Sequence, residues 1–196
     1  MTELNAVGDV ILKEPRAMRA LADGSRLALH DALRRSGPAT TSDLASLLGS
    51  HSRQIREHLE ALEEVGLVER FEAGVENEET TWAAVGKGVF FEIPEDAEGQ
   101  SAARQLSNAM FLQYVDLPRQ WVIDDEPRLT LEWARATGLL NVRALVTADE
   151  LRDIQAEFER VLEPYLTRPA DEASGGASHV RLLSYFMPEA SERERS

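Results

Sequence analysis

The sequence predicts an α+β fold that is mostly helical, and three observations indicate it. Apolar residues recur every three or four positions through the first 65 residues, which is the spacing of buried helix faces. Two short apolar runs then flank a Gly-containing turn, a pattern typical of a β-hairpin. After residue 128 apolar and polar residues alternate, which predicts strands around one more helix. We therefore expect a helical domain with a hairpin, a long linking helix, a small C-terminal β-β-α-β module and a disordered tail over residues 191–196.

The composition excludes several classes of protein. The chain has 196 residues, of which 43% are hydrophobic, so it can bury the core of one large domain or two small ones. It contains no run of eighteen apolar residues and no charged-then-apolar leader. We therefore expect no membrane span and no signal peptide, and a cytoplasmic location. Because the sequence has no cysteine, disulfides, thiolate metal sites and cysteine nucleophiles are excluded.

The first 37 residues predict an arm and two helices. Residues 1–14 are expected to form a flexible arm, in which Val10 and its neighbours can pair with a later strand. Pro15 suits the first position of a short helix. Ser25 is a natural N-cap for the next helix, which Gly37 ends.

Two further helices are joined by a very short turn. The first is capped by Thr40, Thr41 or Ser42 and ends at Gly49, and the second is capped by Ser50 or Ser52 and covers residues 52–65. Four apolar residues of the second helix share one face, because they lie four, three and three positions apart. They are Ile55, Leu59, Leu62 and Val65. A turn too short for antiparallel packing makes a helix-turn-helix, whose second helix can enter the major groove of double-stranded DNA.

The residues after the second helix predict a wing. Gly66 suits a left-handed helix end, and strands are expected at residues 67–71 and 80–85. A hairpin behind a recognition helix completes an N-terminal winged helix-turn-helix domain over residues 15–94. Trp82 lies in the middle of a strand and is expected in the core rather than stacked on a base.

The candidate DNA-binding residues lie at the starts of the two helices and on the outward face of the second. They are Thr41, His51, Ser52, Arg53, Gln54 and Arg56. Arg can bind guanine O6 and N7, and Gln can bind adenine N6 and N7, each pair contributing about 1 to 3 kcal/mol of discrimination. A helix cap offers a hydroxyl and free backbone N–H groups to a phosphate. The alternative is a solvated helix face, and His58 is expected to pack or cap within the domain.

Three runs of sequence resemble a known family. LADGSRLALHDAL, DLASLLG and IREHLEALEEVGLVE, between about residues 15 and 85, resemble the winged-helix core of ArsR-type bacterial repressors. The resemblance implies a homodimeric transcriptional regulator that binds DNA. Arg26 takes a position often held by Arg in this family, and either a phosphate contact or an ion pair or helix-end contact is expected there. Metal-sensing members use cysteine sets or clustered His and acidic residues, so the resemblance implies no metal site.

The charge distribution leaves a second interpretation open. The net charge is −14, whereas a DNA-binding surface is expected to be basic. Residues 16–58 carry seven Arg against four acidic residues, and residues 59–87 carry eight Glu against two basic residues. The wing segment 69–79 has five Glu and one Arg, where related repressors carry basic residues. The chain is thus either a DNA-binding regulator or a winged-helix protein-interaction module that uses its acidic wing and binds DNA weakly or not at all.

A linker and dimerisation helix is predicted over residues 95–127. A long helix is expected to begin near Gln100, and Pro118 kinks or divides it. An apolar stripe along the helix is suited to a partner helix. The expected dimerisation residues are Leu106, Met110, Tyr114 and Leu117. The same stripe can instead pack on the C-terminal part of its own chain, although reading two half-sites requires a two-fold dimer.

The β-β-α-β module is predicted over residues 128–190. Alternation predicts two strands between residues 129 and 146 and a third over residues 179–187. Between them, Thr147 and Glu150 have the spacing of a capping box at the start of an amphipathic helix. The module is expected to serve dimerisation or to bind a small-molecule effector.

No complete catalytic motif occurs in the sequence. The segment from His58 to Glu60 has the H-x-E pattern of zinc deaminases but lacks their cysteine pair, and G-x-S-x-G and H-E-x-x-H are absent. The four histidines are scattered along the chain. We therefore expect no enzyme activity, no metal and no cofactor.

Overall fold

The described part of the chain falls into two compact units. The computed structural model describes residues 3–5, 7–71, 80–169, 172 and 175–189. The first unit spans residues 1–145 and the second residues 146–196.

The first unit contains seven helices and five short strands among its described residues. In chain order they are β1 (Val10–Leu12), α1 (Pro15–Leu21), α2 (Gly24–Ser36), β2 (Ala39–Thr40), α3 (Thr41–Leu48), α4 (Ser52–Glu63), β3 (Val68–Phe71), β4 (Thr81–Ala84), β5 (Val89–Phe91), α5 (Ala97–Tyr114), α6 (Leu117–Gln120) and α7 (Leu131–Ala136). A π-helical turn, Trp121–Asp125, and a 3-10 turn, Glu126–Arg128, lie between α6 and α7.

Two of the helix caps differ from those expected. Asp23, not Ser25, is the N-cap of α2, because its carboxylate accepts hydrogen bonds from two backbone N–H groups of the first turn, both at 3.0 Å. The N-cap of α4 is His51, whose side chain makes no capping bond, rather than Ser50 or Ser52. In both cases several adjacent residues can cap, and the sequence does not select among them.

Two small sheets hold the helices together. Strand β1 pairs in parallel with β5, with Val10 opposite Val89, so the prediction that the arm pairs with a later strand is confirmed. The second sheet has the order β2-β4-β3, and its pairs are antiparallel. Arg70 lies opposite Trp82 in the predicted hairpin. The tip of that hairpin, residues 72–79, lies outside the described residues.

One hydrophobic core lies between α1, α2, α4, α5 and the three-stranded sheet. Its largest fully buried apolar side chains are Met18, Leu21, Leu29, Leu33, Leu44, Leu59, Leu62, Leu67, Leu106, Val10 and Val68. Trp82 joins them from β4, which confirms its predicted place in the core. Each fully buried side chain of this size contributes about 1.5 to 3 kcal/mol to folding, so the apolar faces fix how α4 is presented.

Helix α5 packs on α1 and α2 through its first half. It begins three residues before Gln100, because the carboxylate of Asp96 accepts a hydrogen bond from the N–H of the third residue, 2.8 Å away. Leu106 is its most C-terminal fully buried residue. The helix ends at Tyr114, and Pro118 lies in the first turn of α6, so the predicted division at this proline is confirmed.

The predicted β-β-α-β module is not found among the described residues. Residues 131–136 form α7, and no strand occurs in residues 137–147 or 177–189. The hydroxyl of Thr130 caps α7 by accepting a hydrogen bond from the Trp133 N–H, 3.5 Å away, and this local interaction favours helix in spite of the alternation. The other alternating segments find no partner strand, and a strand is defined by that pairing.

The second unit is built around α8 (Ala148–Leu166). Its predicted capping box is confirmed: Glu150 N–H donates to the Thr147 hydroxyl over 3.2 Å, and Thr147 N–H donates to the Glu150 carboxylate over 2.7 Å. The hydrogen bonds that the Glu150 carboxylate accepts from the backbone N–H and the hydroxyl of Thr147 lower the pKa of Glu150. The rings of Phe158 and Phe186 meet edge to face, with centroids 6.3 Å apart. Among the described residues, no helix combines the length and apolar character that crossing a bilayer needs.

Candidate nucleic-acid interface

The turn between α3 and α4 is set by one glycine. Gly49 ends α3 with φ +61°, a left-handed conformation that glycine adopts without the steric cost of a Cβ. The Ser50 N–H then donates to the Ala45 carbonyl over 3.0 Å, and α4 begins two residues later. The chain therefore changes direction within three residues, as the sequence predicts for a helix-turn-helix.

Helix α4 has one buried and one exposed face. Ile55, Leu59 and Leu62 are buried, and α4 packs on α2 and α3. Four predicted DNA-binding residues lie on the exposed side: Ser52, Arg53, Gln54 and Arg56. The helix is thus oriented with these polar side chains toward solvent.

The exposed side chains of α4 are held only weakly. The Arg53 Nε donates to a Glu57 carboxylate oxygen over 3.1 Å, and the Arg53 side chain is 91% exposed. Such exposed pairs contribute little, so phosphate or base oxygens can replace Glu57. The Ser50 hydroxyl donates to the Gln54 amide oxygen over 3.2 Å. Arg56 is exposed, and no carboxylate within the described ranges forms an ion pair with it.

Two predicted contacts lie at helix starts and have different outcomes. His51 is exposed beside the first turn of α4. Thr41 is only 2% exposed, so the structure contradicts its prediction as a DNA contact. Thr40 is the N-cap of α3, accepting from the Asp43 N–H over 3.1 Å, which makes Thr41 the first helical residue and turns its side chain inward.

Arg26 makes a helix-end contact. Its Nε donates to the carbonyl of Ala20, near the end of α1. The expectation of a helix-end contact for Arg26 is therefore confirmed, and this contact links α1 to the start of α2.

A cavity of about 240 Å³ separates the start of α2 from α4. It is lined by Gly24, Ser25, Ala28, Leu48, Ser50, Gln54, Ile55 and His58. His58 is half-buried, and its Nε2 has no hydrogen-bond partner among the described atoms. The expectation that His58 packs within the domain agrees with this position.

The hairpin of β3 and β4, which is the predicted wing, contributes one ion pair to the described surface. Arg70 on β3 lies 3.0 Å from the Glu63 carboxylate at the end of α4, so the ion pair connects the strand to this helix. Most of the predicted acidic wing, residues 72–79, lies outside the described residues. Its proposed role in protein binding stays a prediction.

The stripe predicted for dimerisation faces the core of its own chain. Leu106 is fully buried, and Met110 packs against the same core. The Tyr114 hydroxyl donates to the Asp31 carboxylate over 2.8 Å. Leu117 is half-buried at the start of α6. The spacing of the stripe is that of a buried face, but the structure contradicts Leu106 as an intersubunit contact, because α1 and α2 cover it within the subunit.

A group of buried polar residues on α2 was not predicted. Asp31 is 6% exposed and accepts hydrogen bonds from the Arg34 guanidinium, 3.2 Å away, and from Tyr114. His30 is 1% exposed, and its burial, helped by Arg34, lowers the pKa of the imidazole to about 4 although Asp31 acts to raise it. The signal in the sequence is the pair His30-Asp31 between Leu29 and Ala32, where the helical period requires buried positions.

The titratable residues are dispersed. In the described ranges, no three His, Asp or Glu side chains lie close enough together to hold a metal ion.

Comparisons with known proteins identify one domain. Residues 21–70 match the family model of a helix-turn-helix domain, which covers about a quarter of the chain. This match supports a DNA-binding regulator, because such domains place a helix in the major groove. No curated protein matches the chain significantly.

The solved structures similar to part of this chain include one from a bacterium. The crystal structure of RV1404 from Mycobacterium tuberculosis is 17% identical, and the match covers 65% of this chain and 86% of that chain with a TM-score of 0.32. A TM-score of this size does not establish a common fold. The resemblance to ArsR-type repressors therefore stays a prediction.

Proposed function

We propose that the protein is a cytoplasmic transcriptional regulator that reads a DNA sequence with α4. The observation that carries the proposal is the two-sided character of this helix: Ile55, Leu59 and Leu62 fix it to the core, while its outward face presents two Arg and one Gln. These are the side chains that bind guanine and adenine edges in the major groove. The hairpin of β3 and β4 follows the helix in the position of a wing.

The proposed functional form is a homodimer that represses transcription. A helix-turn-helix monomer reads a few base pairs, and two-fold symmetry doubles the site. Exposed apolar residues at the C-terminal end of α5 and directly after it supply a surface for this contact. Phe111, Leu112 and Val115 are each at least 40% exposed. No residue from Gln105 to Val115 is charged, so two chains of net charge −14 can approach there with the least repulsion.

The test of the DNA-binding site is the double variant Arg53→Ala/Arg56→Ala. Duplexes bound by the wild type are selected from a pool of its promoter-region DNA, and affinity is measured by fluorescence anisotropy at two salt concentrations. Loss of two base or phosphate contacts is expected to weaken specific binding about 30-fold or more.

The matched control is Arg152→Ala/Arg160→Ala on α8. These two Arg are likewise exposed, and each is paired with a nearby carboxylate as Arg53 is; their loss changes the net charge by the same amount. We expect the control to bind DNA within about twofold of the wild type. Unchanged binding by the α4 variant would exclude the assigned site, and a fall in both variants would indicate an effect of net charge alone.

The acidic wing motivates the second candidate, a protein-interaction module. The segment from Glu69 to Glu79 carries five Glu and one Arg. If the wild type binds no duplex at low salt, this candidate is favoured, and a basic partner captured by the wild type but not by a Glu72→Gln/Glu76→Gln/Glu78→Gln variant would support it. Binding to DNA must weaken as salt rises if phosphates are contacted.

A further inference from the structure

The buried carboxylate of Asp31 on α2 connects this helix to α5. It accepts a hydrogen bond from Arg34 of the same helix, 3.2 Å away, and one from Tyr114, the last residue of α5, 2.8 Å away. The Arg34 Nε also donates to the Lys87 carbonyl, 2.6 Å away, in the turn between β4 and β5. We call the side chains of Asp31, Arg34 and Tyr114 the α2–α5 latch.

The latch lies where apolar anchoring of α5 ends. Leu106 is fully buried, and Met110 is the last α5 residue that packs on the core. After Tyr114 the helix stops, and no described residue beyond Leu106 is buried. The Tyr114 hydroxyl is thus a directional contact that holds the end of α5 to α2 where burial no longer does so.

The same helix α2 supports the DNA-reading helix. Residues of α2 pack against α4, and Arg26 links the start of α2 to α1. The side chain of Asp31 is only 8% exposed, so water cannot readily replace a lost partner. Opening the contact to Tyr114 therefore removes a hydrogen bond from a buried carboxylate oxygen on α2 and costs free energy.

We infer that the α2–α5 latch couples the segment after α5 to the DNA-reading helix, and that DNA favours its closed form. The inference rests on the proposed DNA-binding function and adds a regulatory contact to it. A partner or ligand that draws the segment after Tyr114 away opens the latch and lowers DNA affinity. Coupling between two sites is reciprocal, so DNA bound at α4 must in turn stabilise the closed latch.

The test is hydrogen–deuterium exchange of the full chain, free and bound to the duplex selected above, at a protein concentration at which the free and the bound chain have the same oligomeric state, so that subunit contacts do not change at residues 111–116. In the wild type, DNA is expected to slow amide exchange in α4 and also, at least threefold, in residues 111–116. In Tyr114→Phe, which keeps the ring and removes the hydroxyl, we expect the slowing at residues 111–116 to disappear while that in α4 persists. Affinity is expected to fall between three- and tenfold.

If Tyr114 had only a structural role, Tyr114→Phe would lower DNA affinity, but DNA would not slow exchange at residues 111–116 of the wild type. The matched control is Tyr165→Phe on α8, whose ring lies against Arg168, 5.0 Å from the guanidinium carbon, and which should behave as the wild type. The latch is contradicted if DNA does not slow exchange at residues 111–116 of the wild type, or if that slowing persists in Tyr114→Phe. Either result leaves the DNA-binding function intact. Failure of the wild type to bind any duplex overturns both.

Discussion

Among the described residues, folding shifts the pKa of His30 the most. It is almost completely buried, and its Nε2 has no hydrogen-bond partner among the described atoms. Its pKa of about 4 lies below the ordinary value of 6.5, so the unfolded chain binds a proton at pH values where the folded chain does not. The free energy of unfolding therefore rises as the pH increases from about 4 to about 6.5. Above about pH 6.5 neither the folded nor the unfolded chain binds this proton, so His30 no longer lowers the stability.

Replacing His30 is expected to remove this acid sensitivity. As the pH falls from 6.5 to 4, the wild type should lose up to about 3 kcal/mol through His30 alone, and His30→Leu should lack that component. Urea unfolding at pH 7.5, 6, 5 and 4.5 measures the free energy of unfolding for both proteins. Parallel pH profiles would mean that His30 is solvated or protonated in the folded state.

Thr41 and Arg53 illustrate what the sequence predicts for single residues. The outward position of Arg53 follows from the strong 3.6-residue period of α4, and the exposed side chain agrees with it. Thr41 stands in a run of three residues that can each cap a helix, and a shift of one residue rotates a side chain by about 100°. Because Thr40 takes the cap, Thr41 turns inward.

At the scale of elements, the two capping boxes give a matched pair of predictions. Thr40→Ala removes the cap of α3, the helix that sets the angle of α4, and is expected to cost about 1 kcal/mol. We expect lower thermal stability and weaker DNA binding. Thr147→Ala removes the equivalent cap of α8 in the second unit and should leave DNA affinity unchanged. Equal losses of DNA affinity in both variants would contradict the assignment of α3 as a support for the reading helix.

Helices were predicted better than strands because a helix satisfies its own hydrogen bonds. The capping box and amphipathic period of α8 lie within one segment and could be read from it. The alternating residues after Leu129 needed a partner strand elsewhere, and Thr130 provided a local cap instead. The stripe on α5 was predicted to pack on a partner helix or on the C-terminal part of its own chain, whereas Leu106 and Met110 pack on the core of the first unit, because periodicity does not say which surface covers an apolar face. The contact between Asp31 and Tyr114 joins residues 83 positions apart and has no local signature.

For the whole molecule, self-association must overcome a net charge of −14. We expect Leu112→Glu, which places a charge on the exposed apolar side of α5, to convert the proposed dimer to a monomer. Size-exclusion chromatography with light scattering measures the mass, and operator affinity should fall with it because two half-sites are no longer bound together. The control is Gln120→Glu, an exposed position beyond α5 that adds the same charge. A wild type that is already monomeric at micromolar concentration would contradict the dimer.

The parallel pairing of β1 with β5 also has a consequence for the order of folding. Val10 and Val89 are 79 positions apart, whereas the contacts among α2, α3 and α4 lie within about 40 residues. Loop-closure entropy disfavours early contacts between residues that are distant in the sequence. The contacts among α2, α3 and α4 are therefore expected to form first, and β1 is expected to pair with β5 afterwards. During synthesis on the ribosome, α4 is therefore expected to fold before β1 is paired, because β1 has no partner strand until residues 89–91 have emerged.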